Sequence, residues 1–466
     1  MINCHTDTIV AVSTARGVGA IAIVRMSGSE SSKTASRFLQ GKRDFSTHQP
    51  GKTFHGYFVH PNDNDFRIID EVVALRYLAP ESYTGEDMVE IFCHGSPLIT
   101  REIVHAFIEG GARLADPGEF TKRAFLSGKM DLLQAESVAD LINAQTLHGL
   151  RYSISELTGI LSERLIDLKE LLKKKCAHLE LELDFSDEDV EFLQRDDLLK
   201  DIDSALHEIE SLIKSFTFGK LVREGAHTVI VGKPNAGKSS ILNRLLQQDR
   251  AIVSHVPGTT RDHLEESLDI DGYLFRVTDT AGLRQTDDPI ENKGVQRTES
   301  LMKSADIILL IVDISESLEN EDVRIIRQYM EKSESNRQSF VLVLNKSDLH
   351  HEIDVDFLTR EISGPIQISA KTGDGFDLLE QKLVACVSQQ IPTSSTAIIG
   401  KVRHKTALQK ARDHLLHAKG STEANLSGEF IALDLRAALN AIGQLTGEVT
   451  SEDILNDVFA DFCVGK

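Results

Sequence analysis

The spacing of apolar positions changes character along this chain, and each change marks a domain. Near the start, apolar and polar residues alternate over Thr8–Ser13 and Gly19–Val24, with Arg16 and Arg25 interrupting. Alternation of this kind predicts two strands rather than a leader peptide. Further short β-type runs lie at Ile21–Val24, Glu71–Tyr77 and Met88–Cys93, so residues 1–118 read as an α+β domain. From Glu119 the period becomes helical. Leu150, Ile154, Leu157, Leu161, Leu165, Leu168 and Leu172 recur at spacings of three and four and paint one stripe. A second stripe runs through Leu199, Ile202, Leu206, Ile209, Ile213 and Phe216, and Gly219 is expected to end it. Both stripes read as the core of a helical bundle rather than as partner-binding faces. Between 220 and 388 the pattern is mixed: Thr228–Val231, Leu274–Val277, Phe340–Leu344 and Pro365–Ile368 predict strands, and Ile241–Leu246 predicts a helix. After a Pro-Ser-Thr linker, Ile391–Thr396, helical patterns return over His404–Ala418 and Phe430–Ile442. The economical arrangement is an α/β domain (220–388) inserted into a helical domain (119–219 and 389–466). The chain should then enter and leave the insert at nearby points, around 219 and 389.

The insert carries the chemistry. Gly232-Lys233-Pro234-Asn235-Ala236-Gly237-Lys238-Ser239 follows a predicted strand and precedes a predicted helix. Glycines let such a loop curl until its N–H groups face phosphate oxygens, the helix N-terminus and Lys238 add positive charge, and the Ser239 hydroxyl is a Mg²⁺ ligand. Gly258-Thr259-Thr260-Arg261-Asp262, Asp279-Thr280-Ala281-Gly282, Asn345-Lys346-Ser347-Asp348 and Ser369-Ala370-Lys371 follow, each just past a predicted strand or in the loop beyond. Open α/β sheets bind ligands there. In this order the five motifs resemble those of the Ras-like GTPases. A carboxylate at Asp348 accepts from both the ring N–H and the exocyclic amine of guanine; adenine would leave it unpaired. Asn345 and Lys346 brace the base pocket in this reading, Asp279 holds Mg²⁺ through water, Gly282 senses the γ-phosphate and Thr260 closes over it. Leu283 stands where Ras-type enzymes place a water-orienting Gln, so another group must orient water and another charge must face the phosphates. Asn235 is a candidate ligand for a monovalent cation, completed by carbonyls within Ala251–Thr259; the other reading of Asn235 is a cap of the loop.

Composition narrows the class. The net charge is −21, from 51 basic and 72 acidic residues, which disfavours nucleic-acid binding by bulk electrostatics alone. The densest acidic stretch, Glu180–Glu191, reads as a solvated helix end and loop. No apolar run approaches membrane-spanning length. Five scattered cysteines (Cys4, Cys93, Cys176, Cys386, Cys463) with no metal-ligand spacing fit a reducing cytoplasm.

Over essentially its whole length the chain resembles the MnmE (TrmE) family. The shared features are the phosphate loop with Asn235, Gly258–Asp262, Asp279–Arg284 and the ending Phe462-Cys463-Val464-Gly465-Lys466. The N-terminal half adds Asp7-Thr8-Ile9, Gly19–Gly28, Thr84-Gly85-Glu86-Asp87, His94-Gly95, Pro117-Gly118-Glu119-Phe120 and Arg123-Ala124-Phe125. The resemblance implies a cytoplasmic, potassium-activated GTPase. Residues 1–118 would bind a 5-formyl- or methylene-tetrahydrofolate and form the homodimer. The FAD protein MnmG would be the partner in a heterotetramer. The product would be a (carboxymethyl)aminomethyl group at C5 of the wobble uridine, position 34, of certain tRNAs. The nucleotide set would be Asn235, Ala236, Gly237, Lys238, Ser239 and Ser240; Ser254, His255, Val256, Pro257, Gly258, Thr259 and Thr260; Asp279, Thr280, Ala281 and Gly282; Asn345, Lys346, Ser347 and Asp348; and Ser369, Ala370 and Lys371. K⁺ falls to Asn235, Ser254, Val256 and Thr259, and Mg²⁺ to Ser239 and Thr260. The water-orienting role falls to Glu291, filling the gap left by Leu283. Folate contacts fall to Arg25, Glu90, Lys129 and Lys466. Cys463 is a catalytic thiol or a buried one; the sequence leaves both open. The alternative function is a GTP-switched assembly factor of the ribosome-maturation type, against which the folate-type domain and the Cys-Val-Gly-Lys ending stand.

Overall fold

The computed structural model describes residues 7–61, 66–184, 194–247, 265–279, 300–317, 320–336, 338–350, 364–389, 397–460 and 462–465. The chain divides into two compact units. One comprises residues 1–139, 156–163 and 440–466, the other 140–155 and 164–439.

The first unit is built on strands β1 (Ile9–Val12), β2 (Ile21–Ser27), β3 (Leu39–Gly41), β4 (Phe54–Pro61), β5 (Phe66–Tyr77), β6 (Met88–His94) and β7 (Arg113–Leu114). They lie in the order β3-β4-β5-β6-β2-β1-β7, antiparallel except for the β1–β7 pair. Helices α1 (Ser31–Ser36), α2 (Pro97–Glu109) and α3 (Glu119–Leu126) accompany the sheet. The alternation read at β2 turns Ala22, Val24 and Met26 into a core with Phe58, Ile91, Ile103 and Phe107. α2 starts where its sequence allows: the Ser96 hydroxyl accepts from the Leu98 N–H and Pro97 takes the first helical position.

A buried ion network ties the far parts of this unit together. The Arg123 guanidinium, 4% exposed, donates to Asp7 Oδ1 (2.8 Å), Glu119 Oε1 (2.9 Å) and Glu86 Oε2 (3.1 Å). Arg113 adds bonds to Asp7 and Glu119, each 2.6 Å. The C-terminal tail is held as firmly. Phe462 packs with Leu132, Leu455 and Phe459, and Ser13 Oγ donates to the Gly465 carbonyl at 3.1 Å. Gly465 has φ +98°, and a Cβ there would lie 2.2 Å from the Val12 carbonyl oxygen, so only glycine closes this contact.

The helical segments are α4 (Leu132–Asn143), α5 (Leu147–Leu157), α6 (Ile160–Asp184), α7 (Arg195–Glu224), α8 (Lys238–Gln247), α9 (Asn320–Asn336), α10 (Phe376–Ser388), α11 (Val402–Glu423), α12 (Gly428–Thr446) and α13 (Glu452–Ala460). Two expectations are corrected here. The first leucine stripe is not one stripe: Gly159, at φ +85°, separates α5 from α6. Leu161, Leu165, Leu168 and Leu172 are buried, whereas Leu150 and Ile154 are exposed and α5 buries Tyr152 and Ser153 instead. The second correction concerns Gly219, which does not end its helix. α7 continues to Glu224 and stops at Gly225 (φ +87°). Gly219 is there for packing: a Cβ would lie 2.3 Å from the Ile399 carbonyl oxygen. On α7 the buried face is Leu198, Ile202, Ala205, Ile209 and Leu212, with Leu199, Ile213 and Phe216 only half-buried beside it. Ile399 N–H also donates to Ser215 Oγ at 3.1 Å, so the segments flanking the second sheet meet.

That sheet comprises β8 (Ala226–Gly232), β9 (Glu265–Ile270), β10 (Tyr273–Asp279), β11 (Ile307–Asp313), β12 (Ser339–Asn345) and β13 (Ile366–Gln367), in the order β13-β12-β11-β8-β10-β9. All neighbours are parallel except β9 with β10. The four strands and the helix expected from the motif positions are present, and β11 adds a central strand, apolar from Ile307 to Val312 and ending in Asp313. Parallel strands between helical layers put the loops that leave their C-terminal ends on one edge. No helix among the described residues is long and apolar enough to cross a membrane.

Candidate functional site

The loop leaving β8 has the backbone that a phosphate cradle needs. Gly232, Asn235 and Gly237 have φ of +152°, +64° and +93°. At Gly237 a Cβ would lie 2.2 Å from Asn345 Nδ2, so the glycine is required by position as well as by conformation. α8 starts directly after it, leaving its first N–H groups at the loop. The Lys238 side chain is buried, and its ammonium donates to the carbonyls of Gly232 (2.9 Å) and Lys233 (2.7 Å). Ser239 Oγ donates to Asp279 Oδ2 at 2.6 Å. The hydroxyl from the first turn of α8 and the carboxylate from the end of β10 thus meet, an all-oxygen donor pair of the kind Mg²⁺ takes. Asn235 and Ser240 are exposed beside them.

The base-side motifs are wired to this loop. Asn345 is 1% exposed; its Nδ2 donates to the Ala236 carbonyl (2.8 Å) and its Oδ1 accepts from the Ala370 N–H (3.1 Å). One side chain therefore joins the phosphate loop to the Ser369-Ala370-Lys371 loop. Ser369 Oγ donates to Asp348 Oδ1 (2.7 Å), and the Ser347 N–H to the Ile368 carbonyl (3.1 Å). The hydrogen bond from Ser369 holds the Asp348 carboxyl below its ordinary value, and Lys371 and Lys346 add to the effect. The carboxylate thus stays ionised and accepting. Asp348 is exposed. Lys346, at φ +70°, pairs with Asp313 at the end of β11. Burial alone would raise the Asp313 carboxyl, but the bonds from Lys346 and Ser315 outweigh it and hold it low. Asp313 is absent from the motif list, yet it ends an apolar run as Asp279 and Asn345 do, and that shared position is the signal that would have found it. Ser254, His255, Val256, Pro257, Gly258, Thr259, Thr260, Thr280, Ala281, Gly282, Glu291 and Lys466 lie outside the described residues.

In the first unit, Tyr77, Tyr83, Met88, Glu90 and Lys129 line a cavity of about 300 Å³. Arg25 Nε donates to Glu90 Oε1 at 2.9 Å, and its guanidinium lies 5.2 Å from the Tyr83 ring centre. Tyr77 Oη donates to Glu90 Oε2 at 3.4 Å, and Lys129 Nζ to the Pro80 carbonyl at 2.9 Å. Glu90 and Lys129 thus line one pocket, and Arg25, not itself a lining residue, is paired with Glu90. Burial pushes the Tyr83 phenol up, which keeps it a neutral hydrogen-bonding wall. Val464 packs in the same small cluster as Tyr83 and Phe120, which brings the tail to this side of the unit. Cys463 is exposed, which settles one of its two open readings: it is not a buried thiol.

A family model described as the GTP-binding protein TrmE N-terminus matches residues 8–129, and one described as the MnmE helical domain matches residues 132–463. The tRNA modification GTPase MnmE of Natranaerobius thermophilus is 41% identical over 463 residues, covering 99% of each chain. The chain belongs to the MnmE family. The MnmE of Chlorobium phaeobacteroides is 43% identical over 467 residues, 99% of this chain and 97% of that one. The MnmE of Chlorobaculum tepidum is 43% identical over 469 residues, 98% and 97%. Among solved structures, the G domain of the T. maritima FeoB iron transporter covers 34% of this chain and 98% of its own, at 23% identity and a TM-score of 0.27. The two MnmE-family matches adjoin between 129 and 132, where the chain passes from α3 to α4.

Proposed function

We propose that this chain is a GTP hydrolase acting in tRNA modification. The observation that carries the reading is Asn345, whose two hydrogen bonds join a phosphate loop to the loop beside the guanine-reading Asp348. In this reading the first N–H groups of α8 and the Lys238 ammonium hold the terminal phosphates of GTP. Asp348 accepts from the guanine edge, and Ser369 keeps that carboxylate aimed. Ser239 and Asp279, with Thr260, would hold Mg²⁺, which when bound neutralises charge on the phosphoryl oxygens. Glu291 orients the attacking water in place of the missing Gln. Asn235, Ser254, Val256 and Thr259 would hold K⁺, whose charge substitutes for an arginine finger.

The finer reading rests on the family resemblance. GTP turnover in residues 220–388 drives a cycle in which residues 1–118 bind a tetrahydrofolate one-carbon donor and form the homodimer. MnmG works with the chain in the cytoplasm to modify C5 of the wobble uridine. The pocket of Tyr77, Tyr83, Glu90 and Lys129 supports the folate assignment, since aromatic walls suit a pterin and Glu90 suits its N–H edge. The decisive experiment is mass spectrometry of wobble uridines in cells lacking the gene. The C5 aminomethyl-type group should vanish, return with the intact gene and fail to return with Glu291→Ala. An unchanged profile would reject the tRNA assignment. Purified protein should turn over GTP faster in KCl than in NaCl at equal ionic strength, and equal rates would remove K⁺ from the reading.

A further inference from the structure

We propose that Arg244 is a positioning residue for guanine recognition, clamping the base-side loop to the helix whose other end carries the phosphate site. The inference rests on the nucleotide-binding reading above. Arg244 lies on α8, six residues after Lys238, and is half-buried. Its Nη1 donates to the carbonyls of Ala370 and Lys371, both 3.1 Å, and its Nη2 to the carbonyl of Thr372, 2.9 Å. The guanidinium lies 5.6 Å from the centre of the Phe376 ring. Gly373 makes room for it: a Cβ there would lie 2.1 Å from Nη2.

A surface arginine kept for solubility would face water or a carboxylate. Among the described residues this guanidinium has no carboxylate partner, and its hydrogen bonds go to three successive backbone carbonyls. A flat, forked donor suits that arrangement; a single ammonium does not. The consequence is directional. With the carbonyls of residues 370–372 turned to Arg244, the Ala370 N–H is left facing Asn345 Oδ1 at 3.1 Å. The same turn is closed by the Thr372 N–H on Ser369 Oγ (3.1 Å), and that hydroxyl donates to Asp348 Oδ1 (2.7 Å). Arg244 thus acts on the guanine-reading carboxylate through Ser369, without touching nucleotide itself. It also makes one helix answer for both ends of the ligand.

The test is titration of the full chain with fluorescent GDP and ADP analogues, comparing wild type, Arg244→Ala and Arg244→Lys, with thermal melting of each. Losing charge-assisted bonds to the loop should weaken GDP about tenfold in Arg244→Ala and lower the GDP-to-ADP preference by a similar factor. Arg244→Lys should recover only part of both. A GDP affinity within twofold of wild type and an unchanged preference would overturn the proposal, as would a lowered melting temperature with the preference intact. Should Arg244→Ala not fold, Arg244→Lys and Arg244→Gln carry the same comparison. Failure of wild type to bind GDP would instead reject the nucleotide reading beneath it.

Discussion

Gly237 shows how much a single position can carry. It needs a positive φ, and it lies where any side chain would strike Asn345 Nδ2 at 2.2 Å. Gly237→Ala should therefore abolish measurable GDP binding, because the cradle and the base-side junction are displaced together; a titration with binding within threefold of wild type would contradict this. Asp348 carries the complementary demand. Asp348→Asn replaces an acceptor with a donor at one oxygen, so GDP should weaken about 100-fold or more while XDP, with a carbonyl in place of the guanine amine, gains. Competition binding with both nucleotides checks it, and parallel losses for both would point to a folding defect instead. These positions were legible in the sequence because their glycine, lysine and carboxylate spacing is the one that the proposed phosphate and guanine contacts require. The pairing of Asp313 with Lys346 and the contacts of Arg244 were not, although the place of Asp313 at the end of an apolar run was visible. Their roles depend on which strand end or loop lies beside them, and one sequence does not state that adjacency.

Among the elements, α7 is the most instructive. Helix propensity says that replacing a mid-helix glycine with alanine gains about 0.5–1 kcal/mol. At Gly219 the opposite should hold, because the new methyl would meet the Ile399 carbonyl oxygen, a backbone atom, at 2.3 Å. The clash of an overpacked contact costs about 1–3 kcal/mol, so Gly219→Ala should lower stability by about 1–2 kcal/mol net. Urea unfolding would show it, and a rise in midpoint would mean that α7 and the 397–400 segment part easily. The same comparison explains what periodicity could reveal. Spacing found the helices α6, α7, α11 and α12, the strands β1, β2, β5 and β6 of the first sheet and β8, β10, β12 and β13 of the second, because burial on one face imposes a period; β3, β4, β7, β9 and β11 it did not find. It placed α5 and α6 on one stripe because Leu150 and Ile154 continue the spacing across Gly159, although they are exposed. A period shows that a face is apolar; what covers it, and where a glycine breaks or packs, is tertiary information.

Across the whole molecule the acidic balance and the buried ion network act in opposite senses as pH falls. The net charge of −21 repels itself at neutral pH, and titration towards the isoelectric point near 5.3 relieves that repulsion. The network works the other way. Burial alone would raise Glu119, but the bonds from Arg113, the Asp116 N–H and Arg123 outweigh it and hold the carboxyl below its ordinary value of 4.5. Asp7 is likewise held below 3.8, burial being outweighed by its bonds and charge interactions with Arg113 and Arg123. A depressed carboxyl contributes stability that is complete above its unfolded-state value and is lost as pH falls through its folded-state value. Comparing wild type with Glu119→Gln separates the two effects, since the general charge term is nearly common to both. At pH 7 the variant should be less stable by about 3 kcal/mol, because the buried Arg123 loses an ionised partner and the part-exposed Arg113 loses one too. Below pH 4.5 the gap should narrow steadily as the wild-type carboxyl takes up its own proton and comes to resemble the amide. Urea unfolding of both proteins from pH 7 to pH 3 measures that gap directly. A gap that stayed constant with pH would mean that Glu119 holds Arg123 by shape rather than by charge.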